Sequence, residues 1–77
     1  MLKEFSMPKL GHVMEDGFIS EWLITIGERV KKGDIIVKVE TGKSIVEVEA
    51  PFDGVLKRIV AGEGETALVG QLIAEFE

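Results

Sequence analysis

The 77-residue sequence predicts an all-β fold, an antiparallel sandwich or barrel of many short strands. Val, Ile and Thr, which favour strands, supply twenty residues, whereas nine glycines and two prolines interrupt the chain at short intervals. No stretch keeps an apolar 3.6-residue period long enough for a helix. We therefore expect eight strands, at about 3–7, 17–24, 28–30, 35–40, 45–50, 54–60, 65–67 and 71–76.

The clearest individual strand is residues 46–50, where valines alternate with glutamates. Because side chains of a strand point to opposite faces in turn, Glu47 and Glu49 should share one solvated face. Residues 35–40 are predicted to form the neighbouring strand. In the strand at 17–24, Phe18 and Trp22 have the spacing of one face, and we expect both in the core.

An internal repeat gives the strongest information on architecture. Residues 16–40 align with 53–77 at an offset of 37, without gaps. Three glycines recur in register, which predicts equivalent turns in the two halves. The sequence therefore predicts two similar halves related by an approximate two-fold axis. The identical pairs are Asp16/Asp53, Gly17/Gly54, Gly27/Gly64, Glu28/Glu65, Gly33/Gly70, Ile36/Ile73 and Glu40/Glu77.

Upstream, the repeat continues with an insertion. Met7-Pro8 matches Ala50-Pro51 at an offset of 43, so that seven residues, 9–15, stand where the second half has only Phe52. Breaks in a symmetric scaffold often mark recognition surfaces, because loops carry binding residues on a rigid framework. We expect recognition in this inserted loop, at Gly11, His12, Val13, Met14 and Glu15, with Met14 partly exposed.

Composition excludes several classes of function. The net charge of −5 argues against nucleic acid and against an anionic membrane surface as partners. No apolar run is long enough to span a membrane. The absence of cysteine excludes disulfides and thiolate chemistry, and lone His12 has no neighbour with which to share a metal. A chain of this size favours a carrier or interaction module over an enzyme, and we expect no catalytic residue and no metal site.

The turn at residues 41–44 is the candidate chemical feature. Gly42 supplies turn flexibility, and Lys43 lies at the tip of a hairpin between two well-patterned strands. The segment Gly42-Lys43-Ser44 also matches the end of a phosphate-binding P-loop, but that motif needs a glycine where Val37 stands and a helix where a strand is predicted.

The segment ETGKSIVEVEAP at 40–51 resembles the lipoyl-attachment hairpin of lipoyl domains in dihydrolipoamide acyltransferase components of 2-oxo acid dehydrogenase complexes. MPKLG at 7–11, MEDG at 14–17 and GERVKKGD at 27–34 resemble the same family, in the same order. The resemblance implies a flattened barrel of two four-stranded antiparallel sheets, formed by residues 1–77 as one carrier domain. It also implies lipoate in amide linkage on Lys43. Gly42 and Ser44 replace the flanking residues of the family's common Asp-Lys-Ala triplet, and we expect both to contribute to recognition.

The resemblance further implies the partners. They are a lipoate-attaching enzyme, a thiamine-dependent 2-oxo acid decarboxylase, an acyltransferase catalytic domain and a dihydrolipoamide dehydrogenase. The domain would shuttle acyl groups and reducing equivalents among the last three, in the cytoplasm or, in a eukaryote, the mitochondrial matrix. Two alternatives stay open. One is a biotinyl carrier, whose lysine is flanked by methionines rather than by Gly42 and Ser44, and the other is an unmodified β interaction module.

Overall fold

The computed structural model describes residues 2–11, 13–42 and 44–77; Met1, His12 and Lys43 lie outside the described residues. Eight strands and no helix are found in the described part of the chain, and every strand lies within two residues of its predicted bounds. They are β1 (Lys3–Ser6), β2 (Asp16–Trp22), β3 (Arg29–Val30), β4 (Ile35–Thr41), β5 (Ser44–Glu49), β6 (Gly54–Ile59), β7 (Thr66–Leu68) and β8 (Leu72–Phe76).

The strands form two four-stranded antiparallel sheets, which confirms the predicted fold class. One sheet, here called the terminal sheet, has the order β1-β8-β6-β3, and the other, the hairpin sheet, has the order β5-β4-β2-β7. The repeat makes four pairs of strands equivalent, β1/β5, β2/β6, β3/β7 and β4/β8. Replacing each strand by its equivalent converts the order of one sheet into the order of the other. The predicted two-fold relation is therefore present in the topology itself.

Turn hydrogen bonds repeat at the same offsets. Gly27 N–H donates to Leu56 O at 2.7 Å, and its equivalent Gly64 N–H donates to Ile19 O at 2.8 Å. Two of the three recurring glycine pairs, Gly27/Gly64 and Gly33/Gly70, have positive φ, between 87° and 98°. This region of φ is costly for residues with a Cβ, which explains why glycine recurs at Gly27, Gly33, Gly64 and Gly70. The prediction of a turn was wrong for the third pair, because Gly17 and Gly54 lie in β2 and β6.

The core lies between the sheets and is filled from both. Among the described residues no polar or charged side chain is buried, and the largest buried side chains include the symmetry pairs Ile19/Leu56 and Val39/Phe76. Phe76 packs edge-on against Phe5 and Phe52, with ring centroids 6.2 and 5.3 Å apart. Edge-to-face geometry adds to the stabilisation that burial of the rings provides.

The prediction that Phe18 and Trp22 share a core face was wrong for Phe18. In β2, Ile19 pairs with Val39 and Glu21 with Lys38, which leaves Ser20 as an extra residue in a β-bulge. A bulge shifts the alternation of side chains by one residue. Trp22 consequently packs against the core, whereas Phe18 is 39% exposed on the outer face.

Candidate functional site

The β4–β5 hairpin positions the candidate lysine. Thr41 pairs with Ser44, so the loop between the strands consists of positions 42 and 43 only. Gly42 has φ +57°, the left-handed conformation that tight hairpin loops require at their first position. Gly42 and Ser44 are exposed. The predicted attachment residue, Lys43, lies outside the described residues. Its neighbours in the sequence, Gly42 and Ser44, are described and lie at the end of the β4–β5 hairpin.

The inserted loop lies beside this hairpin. A cleft of about 430 Å³ separates the two, and it is lined by residues of both segments. Of the predicted recognition residues, Ser44 is not in the lining and His12 lies outside the described residues. Asp16 and Thr41 also line the cleft, although the sequence predicts a recognition role for neither. The lining residues are Gly11, Val13, Met14, Glu15, Asp16, Thr41 and Gly42.

The inserted loop is anchored at its ends and open in its middle. Val69 N–H donates to Glu15 O at 3.0 Å, and Leu10 N–H donates to the Met14 sulfur at 3.1 Å. Leu10 and Met14 also pack against the core, and Met14 is partly exposed as predicted. Val13, in contrast, is 91% exposed. The loop therefore presents an apolar side chain to solvent next to the hairpin.

Charge is distributed unequally over the two sheets. The exposed carboxylates Glu47 and Glu49 lie on the outer face of the hairpin sheet, as predicted. Glu77 in the second half is equivalent to Glu40 in the first half. Its carboxylate lies 3.0 Å from the Lys57 ammonium. This hydrogen bond and the positive charge of Lys57 lower the pKa of the Glu77 carboxyl.

Other kinds of site find no support in the part of the chain that the structure describes. It holds no group of three or more potential metal ligands, and it contains no helix with the length and apolar character needed to cross a membrane. A second, apolar groove lies beside Trp22, Ile24 and Ile26. There the Trp22 indole N–H donates to Ala61 O at 3.0 Å, which ties the two halves together.

A match to a protein-family model decides the family. The model for the biotin- and lipoyl-attachment family, described as biotin-requiring enzyme, matches residues 3–76. The chain belongs to this family. A solution structure of the lipoyl domain of the 2-oxoglutarate dehydrogenase complex from Azotobacter vinelandii superposes with a TM-score of 0.76 and 36% identity, covering 96% of this chain and 94% of that one.

Curated relatives point to the lipoyl branch of the family. The chain is 46% identical, over 99% of its length, to the dihydrolipoyllysine-residue acetyltransferase component 4 of the chloroplastic pyruvate dehydrogenase complex of Arabidopsis thaliana. It is 38% identical, again over 99%, to the lipoamide acyltransferase component of the branched-chain alpha-keto acid dehydrogenase complex of Bacillus subtilis. The chain spans only 16% and 18% of these two proteins.

The part of these relatives that the chain matches is a lipoyl carrier domain, which is not their catalytic part. A long-chain acyl-CoA carboxylase also superposes with a TM-score of 0.79, but at 17% identity this likeness shows the fold alone. The biotinyl alternative is therefore not favoured. The chain is a carrier domain of the lipoyl type, and lipoate bound covalently to a lysine is the cofactor of such domains.

Proposed function

We propose that residues 1–77 act as one carrier domain with lipoate in amide linkage on Lys43. The observation that carries the proposal is the two-residue loop between Thr41 and Ser44, in which Lys43 is the one residue with a nucleophilic amine. A primary amine is the chemistry that an amide with lipoate needs. The exposed neighbours Gly42 and Ser44 leave the loop accessible to a modifying enzyme.

Attachment requires an enzyme. The lysine amine has an ordinary pKa of about 10.4 and is protonated at neutral pH, so the lipoate-attaching enzyme must take up its proton and supply an activated carboxyl group. The dithiolane of bound lipoate supplies the redox and acyl-carrying chemistry that this cysteine-free chain lacks. The domain's own contribution is to place the attachment point in the two-residue loop of the β4–β5 hairpin, from which the arm can visit several partners in turn.

The partners follow from the acyltransferase relatives. We propose that the domain serves a 2-oxo acid dehydrogenase complex, in the bacterial cytoplasm or the mitochondrial matrix. Its arm would visit a thiamine-dependent decarboxylase, an acyltransferase catalytic domain and dihydrolipoamide dehydrogenase. A flexible arm alone does not distinguish one decarboxylase from another, so the domain surface must supply the difference in affinity. The inserted loop, with exposed Val13 beside the cleft, is the proposed recognition element.

The proposal is tested by intact mass after expression in cells supplied with lipoate. Wild-type protein and a matched control, Lys31→Arg in the exposed turn after β3, should both gain the mass of one lipoyl group. Lys43→Arg should fold equally well, because an exposed turn contributes little to stability, and should keep its unmodified mass. A lipoyl group on Lys43→Arg, or the mass of biotin on the wild-type protein, would overturn the assignment.

A further inference from the structure

Lys38 lies on the strand that leads into the hairpin loop. In β4 the buried Val37 and Val39 alternate with Lys38 and Glu40, which face outward. Thr41, the last residue of β4, is three residues from Lys38, a separation of about 10 Å at the rise of a β-strand. The Lys38 side chain is 36% exposed. Its amine is therefore accessible on the sheet surface beside the proposed attachment point.

Two carboxylates lie beside this amine. The Glu21 carboxylate on β2 is 3.8 Å from the Lys38 ammonium, and Glu47 on β5 stands directly opposite Lys38 in the strand register. A separation of 3.8 Å is too long for a hydrogen bond, so the ion pair holds the ammonium only loosely. Lys38 thus combines an accessible amine with a proton acceptor close to it.

The proposed lipoyl arm starts at the hairpin loop, one short stretch of strand away. From the Cα of residue 43 to the lipoyl sulfurs the arm has about twelve covalent bonds of roughly 1.5 Å each. Its extended length therefore exceeds the roughly 10 Å of strand between Lys38 and Thr41. A reactive group on a flexible tether meets its neighbours at an effective concentration in the mM range. Lys38 lies within that neighbourhood.

The other lysines in the described part of the chain lack this combination. Lys31 and Lys32 lie in the turn before β4, at the end of the strand away from the hairpin loop, and Lys3 and Lys57 belong to the terminal sheet. Lys9, in the inserted loop, is near the hairpin, but among the described residues no carboxylate pairs with it. The arm therefore meets an amine with an adjacent proton acceptor at Lys38.

We propose that Lys38 accepts acyl groups from the acylated arm and becomes an N-acyl-lysine. This inference rests on the proposed function, which supplies the acyl group as a thioester on a lipoyl sulfur. The unprotonated Lys38 amine attacks the thioester carbonyl carbon, so that a C–N bond forms and the C–S bond breaks. One proton passes from the nitrogen, by way of the Glu21 carboxylate, to the leaving thiolate. The products are an amide on Lys38 and the dithiol form of the arm, with no net oxidation.

The reaction is slow, because lysine amines are almost entirely protonated at neutral pH. Transfer to coenzyme A dominates while the coenzyme is present, and Lys38 is acylated when the coenzyme is scarce. The amide removes the positive charge of Lys38 and with it the ion pair to Glu21. Acylation of Lys38 thus discharges a stalled arm and makes the sheet beside the hairpin more negative by one charge.

Lys57 is the matched internal control for the test. Its side chain is 46% exposed and its ammonium pairs with the Glu77 carboxylate at 3.0 Å, but it lies on the other sheet. The lipoylated domain is acylated from an isotopically labelled 2-oxo acid by whichever decarboxylase acts on it best, among those for pyruvate, 2-oxoglutarate and branched-chain 2-oxo acids. It is then separated from enzyme and substrate and kept at about pH 8 without coenzyme A, which raises the unprotonated fraction of lysine amines.

Hydroxylamine then removes thioesters and leaves amides in place. Trypsin does not cleave after an acylated lysine, so label on Lys38 appears in a peptide of residues 33–57 that also carries the lipoyl group. Fragment ions distinguish label on Lys38 from label elsewhere. The mass of this peptide reports the modification independently of the activity of the arm.

Lys38 should gain label about a hundredfold faster than Lys57, since a tethered group has an effective concentration in the mM range and the domain is used at about 10 μM. The rate at Lys38 should not depend on domain concentration. Lys38 of an unlipoylated Lys43→Arg domain, mixed in as a separate acceptor, should be labelled as slowly as Lys57. Equal labelling of Lys38 and Lys57 in the lipoylated domain, or label mainly on Lys9, would overturn the proposal.

A synthetic arm separates this inference from the proposed function. The chain has no cysteine, so Lys43→Cys creates a unique attachment point. Its thiol is alkylated with a linker as long as the lipoyl-lysine arm, ending in an acetyl thioester. Acetyl transfer to Lys38 in this variant, with no lipoyl group on the wild-type domain, would support the acceptor site and overturn the proposed function. A lipoylated wild-type domain, with no preference for Lys38 over Lys57 from either arm, would overturn the acceptor site and leave the proposed function standing.

Discussion

The two halves of the domain share a backbone but fill the space beside the equivalent strands β4 and β8 differently. In the second half Phe52 packs on Phe76, the last residue of β8. In the first half the position of Phe76 is taken by the smaller Val39, and Leu10 and Met14 of the inserted loop pack against the core. In the first half, residues 9–15 thus occupy the place that Phe52 alone occupies in the second half. The part of this loop that does not pack against the core lies at the surface beside the hairpin. The comparison shows how a symmetric scaffold acquires one distinct end.

The largest effect is expected from moving the lysine by one position within the hairpin loop. Gly42→Lys with Lys43→Gly should nearly abolish lipoylation. A shift of one residue sends the side chain to the opposite side of the hairpin, and a lysine at φ +57° would be strained by roughly 1–2 kcal/mol. Intact mass after growth with lipoate measures the modified fraction.

The control for this swap is Gly42→Asn, which retains Lys43 and tolerates the left-handed conformation. Because Gly42 is itself an expected recognition residue, this variant should be lipoylated less than the wild-type domain but far more than the swapped variant. Full modification of the swapped variant would mean that an exposed lysine anywhere in the loop suffices.

A paired glycine substitution tests the difference in packing between the halves. A Cβ on Gly17 would lie 2.6 Å from Val39 Cγ1 and 2.9 Å from Met14 Cε, whereas a Cβ on Gly54 would lie 3.1 Å from Glu77 O. We expect Gly17→Ala to lower the free energy of unfolding by about 3 kcal/mol and Gly54→Ala by about 1 kcal/mol. Urea unfolding measures both, and equal losses would show that the inserted loop does not tighten the first half.

The smallest effect is expected at the surface of the inserted loop. Because Leu10 and Met14 pack against the core, a single substitution is a cleaner test than removal of the loop. Val13→Ser should lower kcat/KM for reductive acylation several-fold, since 91% of Val13 is exposed beside the cleft, and should leave lipoylation and stability unchanged. Ile26→Ser, which alters another exposed apolar residue outside the cleft, is the control. A similar change in kcat/KM for both variants would show that the inserted loop takes no part in recognition.

The sequence predicted the strands and their symmetry because both rest on local signals. Alternation in 46–50 follows from a strand with one solvated face, and Gly27 and Gly64 recur because their turns need positive φ. The hairpin around Gly42 and its pairing were predictable for the same reason.

Other features depend on the tertiary structure and carry no local signal. The bulge at Ser20 places Ile19 and Trp22 on the inner face and Phe18 on the outer face. Because Phe18 and Ile19 are both apolar, the alternation alone does not show which of them faces the core. Packing of Leu10 and Met14 was not predicted either, because a loop has no periodicity that identifies its inward side chains. The Glu21–Lys38 and Arg58–Glu75 ion pairs occupy equivalent positions in the two halves, with the signs of their charges exchanged. This relation can be recognised only when the strand register is known.

The central claim, that Lys43 carries lipoate, is tested most directly by tryptic digestion of the wild-type domain from lipoate-fed cells. Trypsin cleaves after Lys38, Lys43 and Lys57, but an amide on Lys43 removes the charge that the protease requires. The account predicts a single peptide of residues 39–57 that bears one lipoyl group, and fragment ions that assign it to Lys43. Separate unmodified peptides 39–43 and 44–57, with the lipoyl group on a peptide from elsewhere in the chain, would contradict it.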